Sequence, residues 1–140
     1  MRIEKKCDVC DSIVFVDKYG NGKCKKCNWW QDCEAKEYPN AINPPNFTSL
    51  NNAKKLWEKH IRFYPSFNDI LKLVDRGFDI SFVYKKKKYQ LDKHEAYTCW
   101  EIDTDNYMVF KSIEDFANKL KIDGRLLKDC WRNVHHIRYE

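Results

Sequence analysis

Glycine and proline are both scarce in this chain, with four of each among 140 residues. Four scattered glycines make neither a phosphate-binding loop nor a dinucleotide fingerprint, which need glycines at fixed spacing ahead of a helix. No run of about 18 apolar residues occurs, so no membrane helix is expected. The opening Met-Arg-Ile-Glu-Lys-Lys-Cys lacks the apolar stretch of a signal peptide, and a cytoplasmic protein is expected. A large excess of one charge is missing too. The net charge is +5, with residues 1–65 carrying 12 Lys+Arg against 8 Asp+Glu and residues 66–140 carrying 14 against 13. That balance is too modest for a dedicated nucleic-acid binder. Internal repeats and low-complexity tracts are absent. What is present is a foldable composition: 43% hydrophobic and 15% aromatic residues exclude global disorder.

Cysteine is abundant, with seven residues, four of them in two short pairs: Cys7-Asp8-Val9-Cys10 and Cys24-Lys25-Lys26-Cys27. Two residues separate the members of each pair and thirteen separate the pairs. A tight turn inside each Cys-x-x-Cys aims both sulfurs at one point, so the four can share one tetrahedral ion. Four thiolates favour zinc, which needs no redox partner. In a reducing compartment such pairs hold metal more often than they form disulfides. One structural Zn2+ bound by Cys7, Cys10, Cys24 and Cys27 is therefore expected, with its coordination sphere closed to substrate. Cys99 and Cys130 fall in apolar patterns and read as core residues. Cys33 follows Cys27 by six positions and is the odd thiol.

The first unit reads as a ribbon over residues 5–33. Ile13 to Lys18 alternate as a strand, Tyr19-Gly20-Asn21-Gly22 turns, and the chain returns through Lys23, a hairpin between the two cysteine knuckles. Residues 34–48 read as irregular because Pro39, Pro44 and Pro45 forbid regular pairing. A helix capped by Ser49 follows, with Leu50, Ala53, Leu56, Trp57 and Ile61 on one face, and Pro65 stops it. The second unit begins near Ser66 with Phe67, Ile70, Leu71 and Val74 on a helical face and Gly77 as its C-terminal cap. Strands are expected over 78–84, from Tyr89, over 97–102 and over 107–110, with Lys85 to Lys88 as a hairpin tip. Ser112-Ile113-Glu114-Asp115 starts another helix, Asp123-Gly124 breaks it, Leu126 to Trp131 form one more, and Val134 to Tyr139 close as a strand. The fold class is α+β: a zinc ribbon with a trailing helix (1–65), then a small antiparallel-sheet domain with helices on one face (66–140).

Cys24-Lys25-Lys26-Cys27-Asn28-Trp29 with Asp32, and Asn46 followed by Ser49-Leu50-Asn51-Asn52-Ala53-Lys54, resemble segments of the bacterial cysteine-rich CPCC family. The first knuckle departs from that family's Cys-Pro-Cys-Cys run, having neither the proline nor the extra cysteine. The resemblance implies a fold and a metal for residues 5–60, and no activity. Phe78-Asp79-Ile80-Ser81-Phe82-Val83-Tyr84 loosely resembles a strand of small uncharacterised bacterial domains, carried by mobile elements or acting as immunity proteins.

Candidate binding residues are few. Lys25, Lys26 and the exposed member of the Trp29–Trp30 pair, Trp30, could contact a partner or nucleic acid. Lys85, Lys86, Lys87 and Lys88 could grip a phosphate backbone without reading sequence. His135 and His136 are strand neighbours facing opposite ways, His60 and His94 are isolated, and Glu101, Asp103 and Asp105 suit a turn better than a calcium loop. The expectation is a non-enzyme without a small-molecule substrate, an inhibitor or immunity-type factor, bacterial or phage-borne, that binds a partner protein such as a nuclease. The alternative is a nucleic-acid-binding regulator.

Overall fold

The computed structural model describes residues 3–42 and 44–139. The chain divides into two compact units, Met1–Pro65 and Ser66–Glu140.

In the first unit, strands β1 (Ile3–Lys6) and β2 (Ile13–Val16) pair antiparallel, with Ile3 opposite Val16 and Lys6 opposite Ile13. Strands β3 (Gly22–Lys23) and β4 (Trp30–Gln31) form a second, shorter pair. The ladders therefore run across each Cys-x-x-Cys, whereas the sequence reading placed one hairpin between the knuckles and assigned no strand before Cys7. The reason is local hydrogen bonding. The N–H of Cys7 donates to Ser12 O at 2.7 Å and that of Asp11 to Cys7 O at 3.1 Å; Cys24 donates to Trp29 O and Asn28 to Cys24 O, both at 2.9 Å. The two knuckles thus repeat one bonding pattern. Asp11 (φ 63°) and Asn28 (φ 69°) take the left-handed position in each, which short polar side chains tolerate. The segment between β2 and β3 is a turn tied by Asp17 N–H to Asn21 O at 3.0 Å. Gly22 follows it at a point where an added Cβ would lie 2.3 Å from Phe15 O.

The stretch expected to be irregular contains helix α1 (Cys33–Glu37), whose N-cap is Asp32. Helix α2 (Leu50–Glu58) starts on Ser49, whose hydroxyl accepts from Asn52 N at 3.1 Å. It does not reach Pro65. Ile61 N–H bonds to Leu56 O and His60 N–H to Trp57 O, both at 2.9 Å, with His60 at φ 61°. These paired bonds close a helix C-terminus, usually around glycine, and here they form around histidine. The chain beyond is free to lay Phe63 edge-on against Trp29, ring centroids 5.4 Å apart. Val14, Val16, Trp29, Ala35, Leu50 and Ala53 form the core together with Cys7, Cys24 and Cys27.

The second unit opens with helix α3 (Phe67–Asp75), capped by Ser66 and closed by Gly77 at φ 99°. Strands β5 (Ile80–Tyr84), β6 (Lys87–Lys93), β7 (Tyr97–Glu101) and β8 (Tyr107–Phe110) follow. Lys85 and Lys86 alone form the β5–β6 turn, at φ 48° and 68°, so Lys87 and Lys88 are ladder residues and not part of a four-lysine tip. After helix α4 (Ile113–Lys119), Asp123-Gly124 turns a small hairpin of β9 (Lys121–Ile122) and β10 (Arg125–Leu126) that the sequence reading missed. Helix α5 (Leu127–Cys130), a 3₁₀ turn over Trp131–Asn133 and strand β11 (His135–Tyr139) complete the unit. The sheet is antiparallel and five-stranded, in the order β11-β5-β6-β7-β8. Ile80, Phe82, Leu91, Phe116, Leu120 and Leu127 are fully buried in its core, and the edge-on pair Phe82–Trp131 and the tilted pair Tyr97–Phe116 join the sheet to the helical side. Among the described residues, no helix is long and apolar enough to cross a membrane.

Candidate metal centre

The matching knuckles bring Cys7, Cys10, Cys24 and Cys27 together, with all four sulfurs within 4.8 Å of one another. Cys7 Sγ lies 3.5 Å from Cys27 Sγ, and Cys10 Sγ lies 3.6 Å from Cys24 Sγ. A zinc tetrathiolate with bonds of about 2.3 Å has sulfur–sulfur edges of about 3.8 Å. Two of the sulfur–sulfur distances are close to that edge, and the four side chains could hold one metal ion.

Local electrostatics separate the thiols. Burial pushes Cys7 up, and amide contacts from Cys10 and Val9 with the Gln31 side chain offset only part of that. Burial likewise pushes Cys27 up, against a backbone hydrogen bond from Trp29. Burial also acts on Cys10, but hydrogen bonds from Ser12 and contacts with Cys24 and Cys27 outweigh it and bring the thiol down to about 7. Four crowded sulfurs cannot all ionise without a cation, and a bound metal supplies one while displacing protons.

Gln31 organises the rest. It is buried; its Nε2 donates to Cys7 Sγ and Trp29 O, both at 3.3 Å, and its Oε1 accepts from Asp8 N at 3.0 Å. One amide therefore bridges both hairpins and a sulfur of the cluster, the kind of support that would orient a metal ligand. Asn46, also buried, imitates a neighbouring strand: its Oδ1 accepts from Trp30 N at 2.9 Å and its Nδ2 donates to Trp30 O at 3.0 Å. Arg62 braces the second knuckle, donating to Lys26 O at 3.0 Å and Lys25 O at 3.2 Å. The sequence reading assigned no site role to Gln31, Asn46 or Arg62. Asn46 entered as a turn or cap residue and as part of the resemblance, and nothing in local spacing marks the other two.

Lys25 and Lys26 are exposed on the second knuckle, and Lys26 Nζ lies 5.9 Å from the Trp57 ring. With Lys23 they line a groove of about 600 Å³ running along β2. Trp29 is fully buried and Trp30 is 41% exposed. Ile13, Phe15 and Tyr19 of the same unit are exposed apolar residues. Lys85 pairs with Asp123 at 2.8 Å and Lys87 with Glu101 at 3.8 Å, while Lys86 and Lys88 are exposed. Cys33 is exposed and outside the thiol cluster. Cys99 and Cys130 are buried, and burial pushes Cys99 up to about 12. The four histidines His60, His94, His135 and His136 are exposed and belong to no metal-competent group among the described residues. Compared with family models, curated proteins and solved structures, the chain matches none.

Proposed function

We propose that the first unit is a zinc ribbon of the CPCC kind and that the chain is a non-catalytic protein that binds and modulates a partner protein, as an inhibitor or immunity-type factor. The observation that carries this reading is the donor set. Four thiols gathered within 4.8 Å of one another would, as thiolates, fill zinc's coordination sphere, whereas a catalytic zinc keeps one position for water or substrate. The metal's task is then stability. A ribbon of this size buries little, and zinc ligation contributes on the order of 10 kcal/mol in comparable peptides. The resemblance residues also carry structural duties that suit a ribbon: Asp32 caps α1, Asn46 holds Trp30, and Ser49 caps α2.

Exposed aromatic and apolar residues are the anchors of this reading, because such side chains dominate binding energy when a partner covers them. Ile13, Phe15, Tyr19 and Trp30 are the candidates. The test is co-purification from the native source after nuclease treatment. A stoichiometric protein complex that is lost in Phe15→Ala and Trp30→Ala supports the reading; recovery of no protein partner contradicts it. Lys23, Lys25 and Lys26 along the β2 groove favour a second reading, phosphate contact by the ribbon. That reading requires affinity for RNA or DNA that falls steeply with salt, and a flat dependence removes it.

A further inference from the structure

The helices of the second unit leave one face of its sheet open, and that face has its own chemistry. Registry places Arg138, Ser81, Gln90, Trp100 and Tyr107 in one row across all five strands. Cross-strand partners project to the same side of a sheet, and Lys88, two residues from Gln90, joins them. Trp100 is 37% exposed and Tyr107 is 66% exposed. They are register partners on the neighbouring strands β7 and β8 and project from the same side of the sheet. The Trp100 indole is held in place, its Nε1 donating to Thr104 O at 2.8 Å. An indole held in this way, with the exposed Tyr107 phenol on the next strand, offers stacking area before anything binds.

The charges on the same face are cationic. Lys88 and Arg138 are exposed, and neither is tied into an ion pair among the described residues. Asp92 is the one carboxylate that the five strands present on this side, and it is already engaged, accepting from the Thr98 hydroxyl and from Gln90 Nε2. Three strand spacings of about 4.8 Å separate Trp100 from Arg138, about 14 Å in all. A short nucleotide segment crossing the strands can therefore stack bases at one end and set its phosphates over Lys88 and Arg138 at the other. Gln90, half-buried and bonded to Asp92, and the buried Ser81 lie between them.

We propose that the open sheet face of residues 66–140 binds single-stranded nucleic acid, with Trp100 and Tyr107 as the base platform and Lys88 and Arg138 as phosphate contacts. This site uses the second unit's residues alone and requires neither the metal nor the protein partner. Aromatic stacking is tolerant of sequence, so a generic strand serves as probe.

The experiment is fluorescence anisotropy of labelled oligo-dT with the full-length protein at low salt, followed by a salt titration. Tyr107→Ala, at the more exposed ring, weakens binding by at least about fivefold, and Trp100→Ala does the same. Lys88→Ala and Arg138→Ala each reduce the slope of log affinity against log salt by about 0.7. Binding that is lost in Lys25→Ala and Lys26→Ala but kept in Lys88→Ala would place the contact on the ribbon and overturn the proposal. Thermal melts matching the parent's show that the variants are folded, and Tyr107→Ala decides if Trp100→Ala does not fold. Absence of binding at low salt overturns the proposal. So does binding that survives both aromatic substitutions, or duplex binding as tight as single-strand binding. Self-association that Tyr107→Ala abolishes would assign the face to a second copy of the chain and would overturn it equally.

Discussion

Replacing Gln31 with leucine keeps the side chain's bulk and removes its bridge. Three hydrogen bonds are lost: to Cys7 Sγ and Trp29 O from Nε2, and from Asp8 N to Oε1. The four sulfurs stay in place, because the knuckle turns are closed by backbone bonds of Cys7, Asp11, Cys24 and Asn28. The cost therefore falls on metal affinity more than on the fold. Removing a partner that orients a ligand costs about 10- to 100-fold in affinity, which is about 1.4 to 2.7 kcal/mol. Gln31→Glu sharpens the test. It keeps an acceptor for Asp8 N, but it loses the donor and sets a negative charge beside a thiolate, so it weakens zinc by more than leucine does. Affinities are read by competition with a chromophoric chelator at fixed pH. The cobalt-substituted protein reports whether four sulfurs still bind tetrahedrally. Zinc affinity unchanged in both variants would refute the assignment of Gln31 as a support for Cys7.

Three further outcomes follow from the same geometry. Gly22→Ala drives a Cβ to within 2.3 Å of Phe15 O, a backbone atom that cannot swing away, so the first unit loses about 1–3 kcal/mol, measured by denaturant unfolding with zinc present. Ser66→Ala removes the hydroxyl that accepts from Asp69 N at 3.0 Å and costs the second unit about 1 kcal/mol, read as a shift in its unfolding midpoint. Cys99 is held neutral by burial, its folded pKa raised from 9.0 to about 12, so its contribution is intact below about pH 9 and is lost as pH rises from there toward 12. Urea titrations at pH 8 and pH 10 should show the parent losing stability across that interval and Cys99→Ala losing less; equal losses contradict the assignment.

Much of the fold was legible wherever one residue type does one local job. Ser49 and Ser112 cap helices α2 and α4 as their positions indicate, and Gly77 ends α3 in the left-handed conformation that glycine accepts at no steric cost. The thiol cluster was legible for the same reason: each Cys-x-x-Cys encodes its own turn. What was hidden depends on residues that act against type or at a distance. His60 closes α2 where glycine is usual, so the helix ends well before Pro65. Ile3 to Lys6 become a strand only because the first knuckle folds Ile13 to Val16 back on them, and their charged composition conceals it. Lys85 and Lys86 turn the hairpin with two positive φ angles, a geometry that a run of four lysines does not announce. Gln31 and Arg62 earn their places through contacts with the opposite knuckle and with a segment 36 residues away, and no local pattern records either.

The central claim is a single structural metal ion, and direct elemental analysis of protein purified without chelators tests it most plainly. The account predicts one zinc per chain, release of that zinc together with loss of the first unit's structure on chelation, and loss of stoichiometric metal when Cys10 and Cys27 are replaced by serine. Protein that carries no stoichiometric metal, or that keeps its first unit folded and zinc-loaded after those substitutions, contradicts it.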